Sequence, residues 1–104
     1  MVTTNIDLPM EQIAAFCKRW QIKELALFGS VLRDDFRPDS DIDLLVTFVP
    51  GASRSLFNHV DMQDELTSML GRKVDLVSRH GVERSENVRR RREILETAEV
   101  IYAA

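Results

Sequence analysis

The sequence of 104 residues is poor in cysteine and in long apolar segments. Cys17 is the only cysteine, so no intramolecular disulfide can form, and the chain suits a reducing compartment. No apolar run approaches the roughly 18 residues that indicate a membrane-spanning helix. The stretch from Met1 to Met10 lacks the basic and apolar regions of a signal peptide. We therefore expect a cytoplasmic protein that does not bind a membrane.

Excess basic charge is also lacking. The formal net charge is −3, whereas a broad nucleic-acid surface would need a basic face, so we expect no direct nucleic-acid binding. A negatively charged protein can still bind a nucleotide through a metal ion. The apolar content of 44% and the charged content of 30% are those of a globular domain, and the length predicts a single domain over residues 1–104.

The feature that suggests chemistry is a Gly-Ser pair followed, after a ten-residue connector, by two aspartates. Gly29-Ser30 ends one apolar run, and Asp41 and Asp43 begin a second one. Alternate side chains of a β-strand share a face, which would place the two Cα atoms about 6–7 Å apart. Carboxylates at that separation repel by roughly 2–3 kcal/mol at an effective dielectric constant of 20, so we expect a cation between them. Their hard oxygens suit Mg²⁺ or Mn²⁺ better than zinc.

The Gly-Ser pair predicts the phosphate side of the same site. Gly29 has no side chain to keep a phosphate away from the backbone, and Ser30 offers a hydroxyl if it opens a helical turn. A phosphate-binding turn facing a metal-binding pair is the apparatus of phosphoryl or nucleotidyl transfer. A calcium loop is excluded because Leu44 and Pro50 replace its glycine and its closing glutamate. The alternative of two solvated strand-end acids stays open.

Hydrophobic periodicity predicts the order helix, strand, Gly-Ser turn, strand, helix, strand, helix. Pro9 begins a helix whose buried stripe is Ile13, Phe16, Cys17 and Trp20. Strands are predicted at 25–28, 41–48 and 73–78, and a helix from Ser53 or Ser55 to Met69 or Leu70. A final helix is predicted with a stripe of Val88, Leu95, Ala98 and Tyr102, and with Ile94 and Ile101 beside it. Residues 79–86 read as a polar connector with a turn at His80-Gly81. The pattern predicts an α/β (α+β) fold, a small mixed β-sheet with helices packed on it and the site at one edge.

Further charged residues are candidates for the site. Asp75 interrupts the apolar third strand, where a carboxylate is costly unless it is paired with a cation or bound to a metal. Arg33 either supports the connector by pairing with Asp35 or reaches substrate phosphates. The four consecutive arginines at 89–92 would point in four different directions around a helix, so they cannot form one flat basic face. We expect them to pair with Glu86, Glu93 and Glu96, the alternative being contact with phosphates or with an acidic partner.

The spacing of Gly29-Ser30, ten residues and Asp41-x-Asp43 resembles the signature of the minimal nucleotidyltransferases, or MNT domains, of the DNA polymerase β-like superfamily. The position of Arg33 within the connector also agrees. The resemblance implies a nucleotidyltransferase-like fold, a Mg²⁺ (or Mn²⁺) cofactor and ATP as substrate. It further implies catalytic and metal-binding roles for Asp41, Asp43 and Asp75, and nucleotide-binding roles for Gly29, Ser30 and Arg33. By this resemblance Asp75 would also take the proton of the attacking hydroxyl.

The resemblance implies a protein partner as well. Such domains are commonly paired with a HEPN-domain protein as antitoxin and toxin, and some transfer AMP from ATP to a tyrosine of the toxin, which silences its ribonuclease activity. We therefore predict a protein adenylyltransferase in a homodimer or hetero-oligomer, with an acceptor surface that comes largely from elsewhere. The alternative is a non-catalytic antitoxin that neutralises a HEPN partner by contact alone. Transfer to a small molecule is disfavoured by the length of the chain.

Overall fold

The computed structural model describes residues 8–32, 40–51 and 56–104 and contains a four-stranded sheet of order β3-β2-β1-β4. The strands are β1 (Ile22–Phe28), β2 (Ile42–Phe48), β3 (Val74–Ser78) and β4 (Glu99–Ala103). Strand β1 is antiparallel to both of its neighbours, whereas β2 and β3 run parallel. The two central strands are apolar on both faces, as strands covered on both sides require.

In the described part of the chain, four helices pack on this sheet. They are α1 (Met10–Arg19), α2 (Leu56–Leu70), α3 (Arg79–Glu83) and α4 (Val88–Thr97), and a 3₁₀ turn covers Gly29–Leu32. The mixed α+β architecture confirms the predicted fold class. None of the helices in the described ranges is long and apolar enough to cross a membrane. The two serines predicted to cap α2, Ser53 and Ser55, lie outside the described residues.

The core is divided between the two faces of the sheet. The larger cluster joins α1 and α2 to one face, with Ile42, Leu44 and Val46 of β2 at its centre. The smaller cluster joins α3 and α4 to the other face and consists of Ala26, Phe28, Leu45, Val82 and Ile94. The alternation predicted for β2 is confirmed. The second face therefore carries a small core and leaves room for a site.

Cys17 is a core residue, as predicted. Its side chain is fully buried within the larger cluster. This burial raises the pKa of the Cys17 thiol to about 12, because the thiolate would lose its hydration. The thiol is therefore held in its neutral, unreactive form.

Helix α2 covers the outer edge of β3. The backbone N–H of Val74 donates to Thr67 Oγ1 at 3.1 Å, and that of Leu76 donates to Gln63 Oε1 at 3.0 Å. These two donors point away from β2 and would otherwise be an open edge. The bonds fix the position of β3, including Asp75, which lies between the two bonded residues.

The C-terminal part of the chain differs from the prediction. Helix α4 ends at Thr97, Ala98 adopts an extended conformation, and Ile101 and Tyr102 belong to β4 rather than to a final helix. The edge of β1 is available for pairing, and a β-branched and aromatic segment pairs with it in spite of its helical spacing. The predicted connector at 79–86 is wrong for residues 79–83, which form α3 and include the predicted turn at His80-Gly81, whereas residues 84–86 are a connector as predicted. Ser78 Oγ caps that helix by accepting the N–H of Gly81 at 2.9 Å.

Replacing Ile94 by alanine should lower the free energy of unfolding by about 2–5 kcal/mol, because the side chain is 5% exposed within the small second cluster. The control Val88→Ala lies on the same helix at 57% exposure and should change that free energy by less than about 0.5 kcal/mol. Urea unfolding followed by circular dichroism measures both. Equal effects would contradict the packing of α4 on the sheet.

Candidate active site

Gly29 lies in contact with the carboxylate of Asp43, at the point where β1 ends and the 3₁₀ turn begins. Phe28 and Asp43 are register partners, which is why the turn and the carboxylate meet. A Cβ atom on Gly29 would overlap Asp43 Oδ2 and would lie 3.3 Å from its Cγ. Gly29 also has a φ of +78°, a conformation that L side chains rarely adopt. Both the backbone and the contact therefore require glycine here.

Asp75 lies beside Asp43 on the neighbouring strand. The two residues are register partners of the parallel pair β2 and β3, so their side chains share a face and their Cα atoms are about 4.8 Å apart. Asp43 is half-buried, whereas Asp75 is exposed. The prediction that Asp75 is a carboxylate under a burial cost is wrong, because β3 is an outer strand. Its candidacy depends instead on its position next to Asp43.

Asp41 lies one residue before β2, and its side chain is exposed. Its Oδ2 atom is 4.0 Å from Nζ of Lys73, and the two side chains are 48% and 76% exposed. An ion pair with such exposure contributes little, typically below about 1 kcal/mol, and would yield to a divalent cation. Asp41 is thus available at the same end of the sheet.

The donor set fits a hard divalent cation that arrives with a nucleotide. Over the described ranges, no three or more histidine, cysteine, aspartate or glutamate side chains are gathered as a complete metal site. Mg²⁺ needs only one or two protein carboxylates, with water and substrate phosphates as its remaining ligands. Asp43 and Asp75 on adjacent strands offer such a partial set, and Asp41 is the third candidate.

Two of the predicted site residues, Ser30 and Arg33, lie partly or wholly outside the described residues. The backbone of Ser30 belongs to the 3₁₀ turn, as predicted, but its side chain lies outside the described part. Arg33 and Asp35 lie outside the described residues altogether. The described site therefore consists of the Gly29 turn and the aspartates, at one end of the two central strands.

A cavity of about 520 Å³ opens beside Gly29 and Asp43. Residues of α4 and the first residue of β4 also line it, among them Arg90, Glu93 and Glu99. Contact of the arginine run with phosphates was the alternative to pairing with glutamates, and the sequence did not indicate which arginine would face the site. The arginine run was visible in the sequence, but the direction of each side chain depends on how Ile94 packs on the sheet.

The arginine run makes different contacts at successive positions. Arg92 Nε lies 3.4 Å from Glu96 Oε1, which confirms the predicted pairing at this position. Arg91 donates from Nη1 to the backbone carbonyl of Ser85 at 3.2 Å instead of pairing with a glutamate. Arg90 lines the cavity beside Gly29.

A family model described as a nucleotidyltransferase domain matches residues 9–101. The chain belongs to the nucleotidyltransferase domain family. It is 37% identical over 62 residues to the protein adenylyltransferase MntA of Thermococcus cleftensis, covering 58% of this chain and 59% of that relative. It is 32% identical over 78 residues to MJ0435 of Methanocaldococcus jannaschii, a candidate protein adenylyltransferase, covering 75% of this chain and 82% of that relative. The aligned part thus spans about three fifths of the length of MntA and four fifths of that of MJ0435.

Solved structures share the fold. The structure of a candidate minimal nucleotidyltransferase is 36% identical, with a TM-score of 0.65 that covers 89% of this chain and 87% of the other. A toxin–antitoxin complex crystallised with AMP-PNP contains a chain with a TM-score of 0.70 at 19% identity, covering 93% of this chain and 75% of the other. At that identity the likeness establishes the fold alone.

Replacing Gly29 by alanine should destabilise the protein and also abolish nucleotide binding, because the new methyl group displaces the Asp43 carboxylate. The matched control is Gly71→Ala, where φ is +69° but nothing lies within 4 Å of the added Cβ. Both variants should lose about 1–2 kcal/mol of stability from the left-handed backbone. Only the Gly29 variant should lose binding of Mg·ATP, as measured by calorimetry. Unchanged Mg·ATP binding in the Gly29→Ala variant would mean that the turn is not part of the nucleotide site.

Proposed function

We propose that this protein is a Mg²⁺-dependent nucleotidyltransferase that transfers AMP from ATP to a tyrosine hydroxyl of a HEPN-type toxin. The observation that carries the proposal is the contact between Gly29 and the Asp43 carboxylate, with Asp75 in register beside it. The proposal is supported by relatives named protein adenylyltransferase. It is also supported by structural neighbours that come from toxin–antitoxin complexes, one of them with AMP-PNP.

The nucleotide phosphates are assigned to the 3₁₀ turn. Gly29 presents backbone without a side chain, and the turn continues through Ser30. A phosphate at this point lies next to Asp43, so the reacting α-phosphate can be reached from the carboxylate side. Arg33, in the connector, remains a proposed phosphate-binding residue.

The reaction joins an acceptor oxygen to the α-phosphorus of ATP. The bond between this phosphorus and the oxygen that bridges to the β-phosphate breaks, and pyrophosphate leaves with the electron pair. The hydroxyl proton passes to a carboxylate, and Asp75 is assigned this role because its side chain is exposed beside Asp43. Asp41, Asp43 and Asp75 would hold the magnesium, which neutralises phosphate charge and lowers the pKa of the acceptor hydroxyl.

The acceptor is assigned to a partner protein. The carboxylates lie at the end of the sheet, and the cavity beside them is open enough to accept a ligand of nucleotide size. A tyrosine presented by a partner could approach the exposed Asp75 side without any change in the core. The active assembly would then be a hetero-oligomer of antitoxin and toxin.

Asp43→Asn should reduce AMP transfer to the cognate HEPN partner by on the order of 100-fold or more, since the substitution removes a charge at the reacting centre. Label should pass to the partner from ATP carrying ³²P at the α-position and not from ATP carrying it at the γ-position. EDTA should abolish the transfer. Asp64→Asn, the same substitution at an exposed position of α2, serves as the control and should leave transfer unchanged.

Two results would contradict the proposal. Label arriving from the γ-position would indicate phosphoryl transfer instead of nucleotidyl transfer. An Asp43→Asn protein that still silences the toxin, on a partner that carries no AMP, would identify the non-catalytic antitoxin that acts by contact alone.

A further inference from the structure

We propose that Arg90 of α4 binds the β- and γ-phosphates of the nucleotide and stabilises the pyrophosphate as it leaves. This inference rests on the proposed function, because it assigns a further substrate contact to the same site. Arg90 lines the cavity of about 520 Å³ that is also lined by Gly29 and Asp43. Arg90 and the proposed phosphate-binding turn therefore line the same cavity.

The packing of α4 selects Arg90 from its run of four arginines. Ile94 is buried at 5% exposure in the second core cluster and fixes the side of α4 that faces the sheet. Arg90 and Arg91 lie four and three residues before Ile94, so both share that side. Among the described lining residues of the cavity, Arg90 is the only member of the arginine run. The neighbouring arginines differ: Arg91 is bonded to the Ser85 carbonyl, and Arg92 is paired with Glu96.

Arg90 is available for a ligand. Within the part of the chain that the structure describes, its guanidinium makes no ion pair or side-chain hydrogen bond. The other charged residues among the described lining of the cavity are Asp43, Glu93 and Glu99, all of them acidic. Arg90 is thus the one basic residue among the described lining residues, and its planar guanidinium can bind two phosphate oxygens at once.

A phosphate group is a better ligand for Arg90 than the base, the ribose or the acceptor hydroxyl. The base and ribose of ATP carry no negative charge, and the acceptor hydroxyl is neutral before it reacts. The carboxylates of Glu93 and Glu99 suit donors such as ribose hydroxyls or a base amino group. Negative charge develops on the leaving pyrophosphate, so a cation placed there stabilises the transition state more than the ground state.

The test compares nucleotides with different numbers of phosphates. Calorimetry on the full chain would measure the affinities for Mg·AMPCPP, an ATP analogue with a methylene group between the α- and β-phosphates, and for AMP. Arg90→Gln should weaken Mg·AMPCPP binding by about 10- to 100-fold, the usual loss for a hydrogen bond to a charged group, and AMP binding by less than about 3-fold. Arg90→Lys should retain part of the affinity. Arg92→Gln, the matched control, should change neither, because Arg92 is paired with Glu96.

Several outcomes would overturn this inference. Arg90→Gln could bind both nucleotides like Arg92→Gln, it could lose affinity for both nucleotides equally, or it could raise only the KM of the protein acceptor. The last result would assign Arg90 to the partner. Thermal unfolding of each variant checks that the fold is unchanged, as an exposed position leads us to expect. If the wild-type chain binds no Mg·AMPCPP, the proposed function itself fails, and that result is distinct from all of these.

Discussion

The site depends on one contact, that between the backbone at Gly29 and the carboxylate of Asp43. The contact exists because β1 and β2 pair with Phe28 opposite Asp43, which brings the end of one strand and the beginning of the other to the same place. Glycine is needed there twice over, for the positive φ and for the space that a Cβ would occupy. The Gly29 turn, which is proposed to bind phosphate, and the Asp43 carboxylate are thus positioned by the same strand register.

The two faces of the sheet differ in how much core they carry. One face carries the larger core against α1 and α2, and α2 also satisfies the outer edge of β3 through Gln63 and Thr67. The other face carries the small cluster around Ile94, so α3 and α4 cover it only in part. The uncovered part is the region where Asp43 and Asp75 lie side by side and where the cavity opens. Stability and ligand access are therefore assigned to opposite faces, and the central strands link them.

The sequence predicted best what is determined by residues close together in the chain. Gly29, Ser30, Asp41 and Asp43 could be predicted as site residues because a turn and the beginning of a strand impose local spacing, and their roles stay predictions. Asp75 was predicted as a site residue because its apolar neighbours suggested a buried carboxylate. Its side chain is exposed, since β3 is an outer strand, and the order of strands could not be predicted from those neighbours. The strand β4 was missed because its pairing with β1 is a tertiary interaction that outweighs helical spacing. The sequence left open whether the arginine run contacts phosphates and could not select Arg90, because the direction of each side chain depends on the rotation of α4 about its axis.

The charges around the cavity would make the binding of a nucleotide depend on the binding of a cation. Asp43, Glu93 and Glu99 present three carboxylates against the single guanidinium of Arg90 among the described lining residues. A free triphosphate entering this cavity would meet a surplus of negative charge, and the unfavourable energy is largest where water is displaced. A divalent cation at Asp43, which the proposed function requires, would reverse that balance beside the turn that contains Gly29. Since linkage is reciprocal, the nucleotide must raise the affinity for the cation by the same factor as the cation raises the affinity for the nucleotide. An incomplete set of protein ligands is therefore consistent with a working site, because the substrate brings the remaining oxygens with it.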